Sequence, residues 1–232
     1  MNGLITLTRR AKSVYLASLL MLVCLAPGCL EDLVDEIELY QGETSKVTME
    51  IIHGESVANA TATYTIEIEL YHDAAPNHTD NFRKHAQQGN YDNVTFHRII
   101  DDFMIQGGDF ERHDGTGGYA VQWYGYCNGE AMEQSSDCSS ETLYTLPDEA
   151  NNNLTHIPCT LSMAKTSAPN TGGSQFFIIP EDSTPSWLDG VHTVFGKVIS
   201  GCEHVTTISQ VSTGSNDRPV IPVIITSATV SE

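Results

Sequence analysis

Two stretches with a strict period of two constrain the fold most tightly. From Thr63 to Leu70, Ile66, Ile68 and Leu70 alternate with Glu67 and Glu69, and Val47 to Ile52 alternates in the same way. That period belongs to a strand with one buried and one wet face, and an α-helix, with its period of 3.6, cannot match it. Both are predicted as half-buried strands, and Gly54 to Asn59 between them allows a hairpin. Further short strands are expected at Phe96 to Ile100, Thr160 to Ala164, Gln175 to Ile179, His192 to Val198 and Val220 to Val230. Pro76 opens a helix that carries Phe82 and His85 on one side and stops at Gly89-Asn90. Cys202 to Val211 reads as a second helix. Many short strands, two helices and no βαβ alternation predict a mainly β fold, a closed antiparallel barrel. There is no internal repeat.

Residues 1–28 are read as a signal peptide. Arg9, Arg10 and Lys12 precede an apolar run of 13 residues, Val14 to Ala26, too short to span a bilayer but suited to a signal-peptide core. The run ends in Ala26-Pro27-Gly28-Cys29, small residues before a cysteine, as at bacterial-type lipoprotein cleavage sites. The expectation is a mature chain that begins at a lipidated Cys29, with cleavage without a lipid as the alternative. Thr8-Arg9-Arg10 also hints at twin-arginine export. Glu31, Asp32, Asp35, Glu36 and Glu38 follow at once and argue against a buried amphipathic helix. Residues 29–45 then form an acidic tether and residues 46–232 a single folded domain. This places the domain outside the cytoplasm, on the outer face of the cytoplasmic membrane, with membrane contact through the lipid alone.

Without its first 28 residues the chain keeps eight Lys and Arg against thirty Asp and Glu, a net charge of −22. That argues against nucleic acid as a partner. It suits a soluble domain, expected to be a monomer, that stands off anionic lipid or works in salty water.

Of six cysteines, Cys24 leaves with the signal and Cys29 takes the lipid, so Cys127, Cys138, Cys159 and Cys202 remain. Three pairings are open in an oxidising compartment. The favoured one joins Cys127 to Cys138 within one polar loop and Cys159 to Cys202 across the core. Free buried thiols are the stronger alternative for Cys159 and Cys202, and zinc lacks any Cys-x-x-Cys or His spacing to support it. The stretch between Phe110 and Ser162 is rich in glycine, asparagine and serine and holds Tyr119, Trp123, Tyr124 and Tyr126. It is read as a surface insertion, at about residues 119–145, rather than a second domain.

Three runs carry candidate chemistry. The densest is Phe96-His97-Arg98-Ile99-Ile100-Asp101-Asp102-Phe103-Met104-Ile105-Gln106-Gly107-Gly108-Asp109-Phe110. An arginine inside an apolar strand is costly unless its guanidinium has a use. Phe103 and Met104 offer adaptable apolar surface, Gln106 a donor and an acceptor, and Gly107-Gly108 a close backbone approach. The second run, Gln175-Phe176-Phe177-Ile178-Ile179, sets one polar side chain beside aromatics, and the third, Trp187-Leu188-Asp189-Gly190-Val191-His192, adds an indole and an imidazole. Singly, each residue has a bland reading as core or surface plug.

Together and in this order the runs resemble the cyclophilin family, from about residue 46 to 232. Leu161-Ser162-Met163-Ala164 and Phe195-Gly196-Lys197-Val198 match as well. The resemblance implies an eight-stranded antiparallel barrel capped by two helices, no metal or cofactor, and an outer groove for proline-containing segments of exported proteins. It implies that Phe103, Met104, Phe177, Leu188 and His192 line a proline pocket, with Arg98 and Gln106 at its rim. Ala164 and Lys165 would wall the preceding residue, with Gly107 and Gln175 beside them. Trp187 would edge the groove, where the family's cyclosporin-like ligands make an indole contact. Lys165 stands where the family more often has asparagine.

Prolyl isomerisation suits these residues. The amide barrier is about 18 to 20 kcal/mol, and lowering it needs a dry grip and a donor for the twisting nitrogen, with no nucleophile or metal. Arg98 is the expected donor, Gln106 a holder of substrate backbone, and the Lys165 N–H a receiver of the carbonyl. A non-catalytic proline-motif binding module is the main alternative. A hydrolase triad of Ser174, His192 and Asp189 can be drawn, but no nucleophile elbow supports it. Asn59, Asn77, Asn93 and Asn153 sit in Asn-x-Ser/Thr sequons, which chance also produces.

Overall fold

Alternation sends the apolar side of each strand into one shared core. In the computed structural model, which describes residues 40–231, β1 (Thr44–His53) and β2 (Ala62–Tyr71) pair antiparallel, with Val47 opposite Ile68 and Met49 opposite Ile66. All four side chains are fully buried. The strand begins at Thr44, slightly before the expected domain start at Lys46. The signal-peptide reading, Cys29 and most of the proposed tether lie outside the described residues.

Seven more strands complete the main sheet: β3 (Val94–Thr95), β4 (Arg98–Ile100), β5 (Met104–Gly107), β9 (Thr160–Met163), β10 (Phe176–Ile178), β11 (Val194–Ser200) and β12 (Val223–Ser231). Their order is β3-β12-β1-β2-β11-β9-β10-β5-β4, with every pairing antiparallel. This corrects the expected closed eight-stranded barrel. The sheet has nine strands and curls into a half-barrel whose edge strands, β3 and β4, are not hydrogen-bonded to each other. Those edges are consecutive in the chain, with only Phe96 and His97 between them. Phe96 is fully buried and its N–H donates to Val223 O, so the strand expected over Phe96 to Ile100 breaks where the chain leaves β12 for β5.

Helices α1 (Pro76–Gln87) and α2 (Cys202–Ser209) sit where the proline, glycine and periodicity signals place them. Phe82 of α1 meets Phe176 and Phe195 edge-on at 5.2 and 5.5 Å, which ties the helix to β10 and β11. Ala75, at the N-cap of α1, has no side chain to cap with, and Glu149 does that work from far along the chain. Its carboxylate accepts from the backbone N–H groups of Asn77 and His78, each at 3.1 Å, and from the amide of Asn77, a sequon residue. His78 Nδ1 adds a contact of 2.6 Å. Burial alone would raise the Glu149 pKa, but these donors at a helix N-terminus hold it below the usual carboxylate range.

Both favoured disulfides are present, Cys127 to Cys138 and Cys159 to Cys202, with Cα separations of 5.6 and 5.8 Å. The insertion is more ordered than its composition suggested. It forms a second sheet of β6 (Tyr126–Cys127), β7 (Glu130–Ala131) and β8 (Tyr144–Thr145), ordered β7-β6-β8. Ala120 and Leu146, at its two ends, are fully buried in the main core.

His85 is buried in α1, where Nε2 contacts Tyr119 O at 3.1 Å and Nδ1 contacts the Asn90 amide at 3.0 Å. Only the neutral ring satisfies both, donating through Nε2 and accepting at Nδ1. Burial accordingly pushes its pKa down to about 4. Below the ordinary value near 6.5, the unfolded chain binds a proton that the folded chain refuses, so stability falls as pH drops from there towards about 4. The loss from His85 alone is expected to be roughly 3 kcal/mol, measurable by urea unfolding at pH 7 and pH 4.

Candidate active site: a groove on the outer face of the sheet

Strand register aligns the groove. Arg98 of β4 stands opposite Gln106 of β5, which stands opposite Phe177 of β10, which stands opposite Ser162 of β9. Because neighbours along a strand point to opposite faces, Ile99, Ile105, Phe176 and Ile178 enter the main core while this row faces outward. The outer face carries its own apolar cluster: Met104, Phe177 and Ile179, with Ile100, Phe103, Ala164 and Leu188 packed against it. Arginine is tolerated within the apolar run because it lies on this outer face, where its side chain keeps 40% of its exposure.

These residues enclose a pocket of about 150 Å³. Phe103, Met104, Phe177, Leu188 and His192 line it, together with Arg98, Gln106, Ala164 and Lys165. A site for a whole small molecule usually offers about 300 to 1,000 Å³, so one side chain fills this one. Phe177 lies between two imidazoles. His156 stacks on it at 5.8 Å and His192 meets it edge-on at 5.6 Å. His192 Nδ1 is 2.9 Å from Met163 O, which fixes that nitrogen as the donor and turns Nε2 into an acceptor. Burial lowers the His192 pKa, so the ring stays neutral at pH 7.

Three sequence-derived candidates are not among the residues that line the pocket. Gly107 has its free side inward, where an added Cβ would meet the Phe96 ring at 3.1 Å and crowd the core. Gln175 is a brace. It accepts from Gln106 Nε2 at 3.0 Å and donates to Gly115 O and Gly117 O at 3.0 and 2.7 Å. Trp187 is 68% exposed and stands over Phe103 at 5.7 Å, at the edge of the pocket. Lys165 folds its ammonium back to Ala168 O at 3.3 Å and Asp148 at 3.5 Å. The wall it forms is therefore its backbone and aliphatic stem.

A second hollow of about 510 Å³ adjoins the pocket and shares Gln106, Ala164 and Lys165 with it. Its far wall is the insertion, through Asn128 and residues 142–145. Its floor is the 115–118 loop, held by fully buried Asp109, whose carboxylate accepts from the backbone N–H groups of Arg112, Asp114, Gly115 and Gly117. Burial would raise the Asp109 pKa, and those four donors lower it instead.

Two partnerships carried no signal in the sequence. Asp189 Oδ1 contacts His156 Nδ1 at 2.8 Å, and His156 Nε2 contacts Ser162 Oγ at 2.9 Å. This is the order of a catalytic triad, but Ser162 is fully buried and no substrate can reach it. The triad drawn from Ser174, His192 and Asp189 is not assembled: Ser174 donates to Gly108 O, His192 pairs with Met163 O and Asp189 with His156. The other partnership is Arg98 Nε to Asp217 Oδ2 at 3.2 Å, across 119 residues of chain. Among the described residues the one cluster with metal-ligand chemistry is Cys159, Glu181 and Cys202, and its two sulfurs are bonded to each other.

The family model for cyclophilin type peptidyl-prolyl cis-trans isomerase/CLD matches residues 57–230. The chain belongs to the cyclophilin family. Among its cyclophilin relatives, peptidyl-prolyl cis-trans isomerase 9 of Schizosaccharomyces pombe is 43% identical over 173 residues, which are 74% of this chain and 24% of that protein. The chain thus spans about a quarter of that relative's length. Peptidyl-prolyl cis-trans isomerase-like 1 of Aspergillus niger is 39% identical over 176 residues, 76% of this chain and 94% of that one. The crystal structure of a Cryptosporidium parvum cyclophilin type isomerase superposes with a TM-score of 0.64 at 26% identity, covering 82% of this chain and 99% of that one.

Gln175→Ala would remove three hydrogen bonds, each worth about 1 kcal/mol. It is expected to cost roughly 2 to 3 kcal/mol of stability by urea unfolding. Release of Gln106 should also lower kcat/KM at subdenaturing conditions.

Proposed function

We propose that this chain is a peptidyl-prolyl cis-trans isomerase that accelerates rotation of X-Pro bonds in exported proteins and so assists their folding. One observation carries the reading: the strand register sets Arg98 and Gln106 directly beside an apolar pocket of side-chain size. In the pocket, Phe103, Met104, Phe177 and Leu188 grip the proline ring in a water-poor site. As the amide twists, its nitrogen lone pair localises, and the Arg98 guanidinium supplies a charged donor to it. The Gln106 amide, anchored through one N–H to Gln175, keeps its oxygen for a substrate N–H. The Lys165 backbone N–H has no protein acceptor among the described residues and suits the substrate carbonyl before the proline. A millionfold acceleration corresponds to about 8 kcal/mol, of which one preorganised donor supplies roughly 3 to 4.

The export part of the reading rests on the opening 28 residues, the strong negative charge and two disulfides. In this reading the domain is lipid-anchored on the outer face of the cytoplasmic membrane. Mass spectrometry of the native N-terminal peptide should find a chain starting at Cys29 and carrying a lipid. An unmodified Cys29 or a different start removes the anchor.

Arg98→Ala should slow isomerisation of a prolyl test peptide by roughly a hundredfold while groove binding falls much less, because the donor acts only as the amide twists. Phe177→Ala should weaken binding and turnover together. NMR exchange spectroscopy on the peptide reads both quantities. A wild type that binds without accelerating exchange would mean a proline-motif binding module instead.

A further inference from the structure

We propose that Asp217 is the positioning residue for Arg98, an inference that rests on the isomerase reading. A donor aids a transition state only to the extent that it is held in place beforehand. Arg98 stands at the rim on a long side chain with 40% of its exposure left, and packing alone does not hold it. The one hydrogen bond of its side chain to protein among the described residues runs from Nε to Asp217 Oδ2 at 3.2 Å. A bond through Nε fixes the plane of the guanidinium and leaves both terminal nitrogens for the substrate. Stability does not explain the pair, since Asp217 is itself 45% exposed and such surface ion pairs contribute little.

The backbone that presents Asp217 is strained and clamped. Asn216 and Asp217 lie side by side in the left-handed region, at φ 61° and 57°, which non-glycine residues seldom occupy in succession. The turn that imposes this is closed by Gly214 N–H donating to Arg218 O at 2.8 Å and by a bridge between Thr213 and Pro219. Arg218 Nη2 donates to His113 O at 2.7 Å and ties the same turn to the loop that Asp109 organises. Strain held in place beside a reactive side chain marks a constraint on that side chain. Arg98, Gln106, Asp217 and Arg218 line one hollow that adjoins the pocket, so the carboxylate and the guanidinium share a wall beside the site.

The test uses Asp217→Gly, because glycine accepts the left-handed backbone and the turn keeps its path. With kcat and KM measured separately on a prolyl peptide, kcat should fall roughly tenfold and KM change less than about twofold. Asp217→Asn, which keeps an acceptor and tolerates the same φ, should stay within about threefold of wild type. In an Arg98→Ala background, Asp217→Gly should cause no further loss. The inference is overturned if Asp217→Gly leaves kcat unchanged, if it changes only KM, or if it slows the Arg98→Ala protein by the same factor. An inactive wild type would overturn the isomerase reading, and this inference with it.

Discussion

A strand side chain can point to only two faces, and in β4, β5 and β10 both faces are committed. Ile99, Ile105, Phe176 and Ile178 fill the inner core, so Arg98, Gln106 and Phe177 have only the outer face left to them. The hydrogen-bonded register then lines these three up across adjacent strands. A shift of one residue in any of the three strands would bury a polar group and expose an apolar one, which makes the register strongly specified. The groove is thus a by-product of how the core is filled, and its geometry is as rigid as the sheet.

What the sequence made legible follows from that same rule. Period-two runs and the proline and glycine at the ends of α1 depend on local sterics, and they lie where local reasoning puts them. The pocket residues were legible because three motifs, each weak alone, occur together in family order. Closure of the barrel was not legible, because it depends on how far β3 and β4 stand apart once Phe96 turns inward. The inward direction of Gly107 was not legible for a related reason. The motif places it in the run, but the pleat turns it towards Phe96. Asp217 and His156 were invisible because their partners are 119 and 33 residues away in the chain.

Buried and half-buried polar groups hold the irregular parts of the molecule as strands hold the regular parts. Asp109 gathers four backbone N–H groups, Gln175 joins the resulting loop to Gln106, and Glu149 caps α1 from the far side of the insertion. Each is a side chain supplying hydrogen bonds that no ladder provides, and each becomes costly if its partners are lost. In a chain this acidic, carboxylates that must stay ionised find donors in backbone N–H groups more than in scarce lysines and arginines.

The bond between Cys159 and Cys202 closes a covalent ring that contains β9, β10 and β11. Ala164, Lys165, Phe177, Trp187, Leu188 and His192 all lie inside it, whereas Arg98 and Gln106 lie outside. A protease that cuts one peptide bond within the ring, for instance in the exposed turn around Trp187, leaves both new ends tethered to the same molecule. No fragment can diffuse away, and the strands on either side keep their neighbours. A nicked molecule can therefore hold its groove together until the disulfide is reduced.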